Sequence, residues 1–164
     1  MITLRLMEDT MADYMALQSW FHEPELQEFV WCDEKGEPSV TLERIIEKYG
    51  ERVKHPRDVF PYFILLDEKP IGFIQYYMQD GATIGLDMWI GKVEERSRGY
   101  GSEALRQMVE IIHHKHPQVK TLFIDPEVGN KRAIRCYEKA GFVPAGEFAD
   151  EEGALCLMMK IQYK

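Results

Sequence analysis

Hydrophobic and polar positions change period several times along the chain, and the order of those changes sets the expected architecture. "ITLRLM" alternates, with Ile2, Leu4 and Leu6 on one side, as an opening strand does. "DTMADYMALQSWF" and "TLERIIEKYGERV" read at helical spacing. In the second, Thr41 stands at the N-cap and Leu42, Ile45, Ile46 and Tyr49 form the apolar stripe. The polar, aromatic-bearing segment between them, "HEPELQEFVWCDEKGEPS", is assigned to no element. "YFILLD" and "PIGFIQYYM" flank the connection "EK" as a hairpin, and "TIGLDMWIGK" adds a strand after the turn signal "QDGA".

From Gly99 to about His114 the pattern is helical again, and "KTLFID" follows as a short strand. "NKRAIRCYEKAG" is a helix closed by Gly141, and "FVPAGEF" and "ALCLMMKIQY" are the final strands. The order is α+β, with one β-α-β crossover at its centre. No repeat, low-complexity run or Gly/Ser linker interrupts it, so residues 1–164 are expected to form one domain.

Charge narrows the partner. The formal net charge is −8, from 28 acidic against 20 basic residues, which disfavours nucleic acid and suits a cationic small molecule or a basic peptide. The start lacks a basic region followed by a long apolar run, and no segment approaches the ~18 apolar residues of a membrane span. Cys32, Cys136 and Cys156 are odd in number and lack metal-ligand spacing, which points to reduced thiols, a cytoplasmic location and no metal. The histidines of "IIHHKHP" sit at a helix end, where they satisfy carbonyls and the dipole. A homodimer is left open.

The chemistry is expected at the crossover loop, "EERSRGYGSEAL", between a strand and a helix start. Unpaired N–H groups of a first helical turn, the positive dipole end and glycines without Cβ together favour a phosphate or pyrophosphate. Arg96 and Arg98 would add charge-assisted contacts. A phosphate loop ending in Gly-Lys-Ser/Thr is absent, and the loop lies too late, with Ala104 where a third glycine would stand, for a dinucleotide fingerprint.

Arg96-x-x-Gly99-x-Gly101, followed by "NKRAIRCYEKAGF" after the next strand, resembles the GCN5-related N-acetyltransferase (GNAT) superfamily. "ITLRLM", "PYFILLDEKPIGFIQYY", "IGLDMWIG" and "DPEVGNKRAIRCYEKAGF" look closer still to the aminoglycoside 6′-N-acetyltransferases, over nearly the whole chain. The resemblance implies a mixed, mostly antiparallel sheet of about seven strands flanked by helices, with the fourth and fifth strands splayed around acetyl-coenzyme A. It further implies antibiotic resistance by direct transfer to a primary amine in a ternary complex.

Carried onto this chain, the first motif (Arg96, Ser97, Arg98, Gly99, Tyr100, Gly101, Ser102) would cradle the pyrophosphate of coenzyme A. Asn130, Ala133 and Tyr137 would line the pantetheine end. Trp89, Ile90 and Lys92 would bond the pantetheine through their backbone, as a partner strand does. Asp87 would contact the acceptor amine, Asp125 would be a second acidic contact, and Glu28 with Asp150, Glu151 and Glu152 would extend an acidic rim. Tyr137 lies seven residues after Asn130, nearly on the same helix face, and would donate a proton to the departing sulfur.

An alkyl ammonium of pKa ~10.4 is only about 0.04% neutral near neutral pH, a deficit of roughly 4.6 kcal/mol. Asp87 is therefore expected to orient and desolvate the amine more than to abstract its proton. Cys136 has no base placed beside it by sequence, so an acetyl-cysteine route is not expected.

One departure stands out. Only "QDGAT" joins "YYM" to "IGLD", where the aminoglycoside enzymes carry a longer acidic loop, so the acceptor wall is expected to be more open or differently built. Relatives with the same donor motifs act on polyamines, siderophore precursors, proteins and other antibiotics. Another amine, a protein N-terminus or a coenzyme A-binding module without turnover remain alternatives.

Overall fold

The computed structural model describes residues 1–29 and 40–164, and of residues 27–29 only the backbone. The elements run β1 (Ile2–Leu6), α1 (Met11–Trp20), α2 (Pro24–Phe29), α3 (Leu42–Lys54), β2 (Val59–Leu66), β3 (Lys69–Met78) and β4 (Thr83–Ile90). A short 3₁₀ turn (Val93–Glu95) leads into α4 (Tyr100–Lys115), then β5 (Thr121–Ile124), α5 (Lys131–Lys139), β6 (Val143–Ala149) and β7 (Leu155–Gln162). The expected strands and helices all form. The addition is α2, inside the segment given no element, with Pro24 at its first position and the Glu23 carboxylate accepting from the N–H groups of Glu25 and Leu26.

The strands make one seven-stranded sheet in the order β1-β2-β3-β4-β5-β7-β6. Neighbours are antiparallel except β4 and β5. The β2–β3 turn is two residues, Asp67 and Glu68, both at positive φ (47° and 69°), the left-handed pair that matches strand twist in a tight hairpin.

Alternation along the strands sends each face to its own core. Ile74, Ile84 and Leu86 pack with Leu105 and Met108 of α4 and with Tyr137 of α5. Phe63, Phe73 and Trp89 pack on the other face with Leu17 of α1, Phe21 and Ile45 of α3. Gln75 and Asp87, register partners between Phe73 and Tyr77 and between Gly85 and Trp89, belong to this second face.

The site follows from one mismatch of strand length. β4 pairs with β5 only at Thr83, Ile84 and Gly85, although it continues to Ile90. Beyond Ile124 the chain stays with β7 instead: Leu157 N–H donates to Pro126 C=O (2.8 Å) and Val128 N–H to Leu155 C=O (2.9 Å). Pro126 also has no N–H to offer β4. β4 goes with β3, β5 goes with β7, and a gap opens between them from Leu86 onward.

Candidate active site

The gap is the head of a cleft of about 670 Å³ walled by α3, β3, β4, α4, α5 and the loops after β5 and β6. Its wall at the head of α4 is backbone. α4 starts directly after Gly99, which sits at φ +84° with no side-chain cap on the helix, so the first-turn N–H groups of Tyr100, Gly101 and Ser102 have no helical acceptor. Gly99, Gly101 and Ser102 line the cleft there, at the positive end of a sixteen-residue helix. Ser97, at φ +59°, is the non-glycine residue held left-handed in the same loop. Gly101 has a second reason to be small: a Cβ there would meet Cys136 Sγ at 3.0 Å and Met88 Cε at 3.3 Å, so it sets how closely α4 approaches α5.

Side chains of this loop are spent on the scaffold. Arg96, expected to face a phosphate, is 8% exposed and donates through Nη1 to Glu25 (2.7 Å) and Nη2 to Glu23 (2.8 Å). Its Nε donates to Ile90 C=O (2.9 Å). It locks α2 against the end of β4. Glu25 also pairs with Arg132 of α5, so one carboxylate ties the loop before α4 to the opposite helix. Arg98 is 58% exposed, with Glu95 at 3.8 Å. Ser102 Oγ donates to Cys136 C=O (3.1 Å).

Of the three residues expected to hold pantetheine, Trp89 and Ile90, at the end of β4, line the cleft. Lys92 does not, and its N–H donates to Ile71 C=O (3.1 Å) while its C=O accepts from Glu95 (3.0 Å). Arg98 and Tyr100 are likewise off the cleft wall.

On α5, Asn130 is the N-cap, its Oδ1 accepting from Ala133 N–H at 3.3 Å. That cap aims the next two turns, and Ala133 and Tyr137 both reach the cleft. Tyr137 is 6% exposed, and its hydroxyl bonds to no described residue. Burial, with Cys136, Asp87 and Asp125 nearby, pushes the phenol well above its ordinary range, so it stays a proton donor. Burial also pushes the Cys136 thiol up, which keeps it protonated beside Ser102 and suits a structural thiol. His116 and His113 serve packing: His116 Nε2 meets Tyr76 Oη at 3.2 Å, and His113 lies against Tyr163.

The facing wall, from α3, β3, β4 and the loops after β5 and β6, is built from side chains. Asp87 is half-buried on the cleft wall, and its Oδ2 accepts from Gln75 Nε2 (2.9 Å). Burial raises its carboxyl above the ordinary range, while Gln75, Arg52 and Lys48 pull it back. Gln75 Oε1 accepts from Arg52 Nη1 (3.0 Å). Asp125 lies across the gap, lifted to about 6 by burial and by the charges of Asp87 and Asp150. Asp150 lines the cleft and caps its own turn, accepting from Glu152 N–H (2.9 Å) and Ala154 N–H (2.8 Å). Glu151 and Glu152 are exposed outside the cleft wall, and the Glu28 side chain lies outside the described residues.

Glu25, Arg52, Gln75 and Arg132 also line the cleft and were not among the expected site residues. Pro24 followed by Glu25 is a helix-start signal that would have placed the first. Arg52 stands seven residues after Ile45 and three after Tyr49, hence on the inward face of α3.

A family model described as an acetyltransferase (GNAT) domain matches residues 9–150. The chain is 32% identical over 171 aligned positions to the aminoglycoside N(6')-acetyltransferase type 1 of Klebsiella pneumoniae, covering 97% of this chain and 82% of that protein. The solved aminoglycoside acetyltransferase AAC(6')-Ib, in complex with coenzyme A and kanamycin, superposes with a TM-score of 0.82 at 30% identity, over 99% of this chain and 95% of that one. The spermidine N-acetyltransferase of Vibrio cholerae, in complex with coenzyme A and spermine, reaches 0.78 at 16% identity over 98% and 95%, a likeness of fold alone.

Proposed function

The chain belongs to the acetyltransferase (GNAT) family, and from that premise we propose that its acceptor is a primary amine on a polycationic small molecule, foremost the 6′-amine of an aminoglycoside. It is an acetyl-coenzyme A-dependent N-acetyltransferase. We read residues 1–164 as one domain working in the cytoplasm. Among the described residues no helix is long and apolar enough to cross a membrane.

One observation carries the acceptor assignment: in the gap between β4 and β5, Asp87 keeps one carboxylate oxygen without a hydrogen bond from any described residue, with Asp125 across the gap and Asp150 lining the same cleft. Three carboxylates around one gap suit an ammonium that carries further ammonium groups. The similarity to an aminoglycoside enzyme over 97% of the chain supports that class.

Acetyl-coenzyme A, when bound, supplies an acetyl thioester open to a nitrogen nucleophile. The first turn of α4 fits its pyrophosphate by the free N–H groups, the dipole and the open space around Gly99. The edge of β4 freed by the splay offers backbone to the pantetheine arm, with Ala133 and Tyr137 closing the far wall. Asp87 receives the ammonium through its free oxygen, strips it of water and orients the nitrogen toward the acetyl carbon. A carboxyl raised by burial is a better match for an amine proton than an exposed one; the ammonium's first proton passes to cleft water before attack, and the second leaves the same way once the nitrogen has bonded to the acetyl carbon.

As the nitrogen–carbon bond forms and the carbon–sulfur bond breaks, Tyr137 donates a hydrogen bond to the sulfur. Because its phenol lies above its ordinary pKa, and a thiol near ~8.5 leaves readily as thiolate, Tyr137 stabilises the leaving group more than it protonates it.

The test is thiol release from acetyl-coenzyme A across kanamycin, spermidine and a basic peptide, with mass spectrometry of each product. Acetylation of kanamycin at one amine is the expected result. Turnover confined to the polyamine or the peptide would overturn the acceptor class while leaving the family in place.

A further inference from the structure

The acceptor wall contains a connection that the reaction as described does not use. Arg52 on α3 donates to Gln75 on β3, and Gln75 donates to Asp87 on β4, at 3.0 and 2.9 Å. Gln75 is 8% exposed, so its amide is a buried polar group that must be satisfied on both ends. A guanidinium has donors and no acceptor, which fixes the amide: Oε1 faces Arg52 and the NH₂ group faces Asp87. An amide turned the other way would present oxygen to a carboxylate and favour its protonated form.

We propose that Arg52 is a positioning residue for amine capture, acting through Gln75 to hold one oxygen of Asp87 and leave the other facing the cleft with its charge unneutralised. The inference rests on Asp87 being the group that meets the acceptor amine. The amide spacer is the point of the arrangement. A guanidinium in direct contact with Asp87 would pair with the carboxylate and cancel its pull on an ammonium. Through the amide, Arg52 supplies positive potential that opposes the rise that burial imposes on the carboxyl, while the ion-pairing position stays open.

The surroundings show why such support is needed. On β3, Tyr77 faces Asp87 as a neutral phenol raised by burial and by the two aspartates. Asp125 after β5 and Asp150 after β6 add negative charge, and Tyr137 stands on α5. The positive groups that act on Asp87 are Arg52 and Lys48, both from α3. Tyr49 holds the guanidinium from the side, 5.0 Å from its ring centroid. The charge of Arg52 reaches Asp87 past the amide, lowering its carboxyl against burial.

The experiment compares the pH dependence of kcat/KM for the amine in the intact chain with that of Arg52→Met, Arg52→Lys and Asp87→Asn, alongside coenzyme A affinity by calorimetry. In Arg52→Met the acid limb should move to higher pH by roughly half a unit or more, because Asp87 is then protonated more readily. KM for the amine should rise with coenzyme A affinity unchanged, and Arg52→Lys, which keeps charge and donor, should restore most of the profile. Arg52→Gln serves as a second neutral variant if Met disturbs α3, and the same upward shift is expected. A fall in activity that is equal at every pH, with no shift in any neutral variant, would mean that Arg52 only braces α3 and would overturn the proposal. If Asp87→Asn leaves amine use intact, the assignment of Asp87 itself fails, and the relay with it.

Discussion

The two halves of the cleft are made of different material. The donor half presents backbone: the N–H groups at the head of α4 and the freed edge of β4, with Arg96 and Ser102 turned inward to hold that backbone in place. The acceptor half presents side chains brought from α3, β3, β4 and the loops after β5 and β6. Backbone recognition tolerates change in side chains, provided the helix start and the splay survive. On the proposed reading, recognition by Asp87, Gln75, Arg52 and Asp125 would depend on four identities at once, so acceptor preference could drift while the donor stays the same.

Breaking the acceptor half at its centre should have the largest effect. Asp87→Asn is expected to lower kcat/KM for the amine by about 10²–10³, on the order of 3–4 kcal/mol for removing the charged partner of a desolvated ammonium. Steady-state kinetics with kanamycin would check it, and a loss below fivefold would move the anchor elsewhere.

The donor half should break through its frame. Arg96→Met leaves Glu23, Glu25 and the Ile90 carbonyl without their shared donor, at a cost of about 2–4 kcal/mol of stability by chemical denaturation. Burial alone would raise the Glu23 carboxyl, but hydrogen bonds from Arg96 and from the Glu25 and Leu26 N–H groups outweigh it and hold it low. That contribution is present above the ordinary carboxylate range and is lost as pH falls through the depressed pKa. The variant lacks that contribution, so it should lose less stability than the intact chain as pH falls through this range. A superimposable denaturation curve would contradict the clamp.

Tyr137→Phe sits where the halves meet. It should lower kcat by roughly 10- to 100-fold with coenzyme A affinity nearly intact, since it removes a hydrogen bond to the leaving sulfur and little else. Unchanged turnover would remove Tyr137 from the chemistry.

The smallest effect belongs to Asp125. Lifted to about 6, it is neutral below that pH and anionic above it, so KM for a cationic amine should fall as pH rises through this range. Asp125→Asn should shrink that dependence a few-fold. A profile of unchanged steepness would leave Asp125 as a loop residue.

The same contrast explains how far the molecule was legible in its sequence. Strand alternation, the Thr41 cap and the Asn130 start fixed the elements because each acts within a few residues. The Gly99 loop was readable for the same reason: a left-handed glycine before a helix is local chemistry. What could not be read was tertiary. Arg96 carries the motif expected of a phosphate ligand, but its direction depends on Glu23 and Glu25 at the head of α2, which lie 73 and 71 residues upstream. Lys92 follows a strand that looks continuous, yet Ile71 and Glu95 use its backbone. Gln75 and Asp87 become partners only through the β3–β4 register, and Arg52 joins them only when α3 packs on that face.

The division into two halves is tested most directly by calorimetric titration of Asp87→Asn, first with coenzyme A and then with kanamycin in the presence of coenzyme A. Coenzyme A affinity is expected to stay within a factor of about two of the intact chain and kanamycin affinity to fall about 10²-fold. Kanamycin affinity unchanged while coenzyme A binding collapses would contradict that division, because Asp87 would then belong to the donor side of the splay.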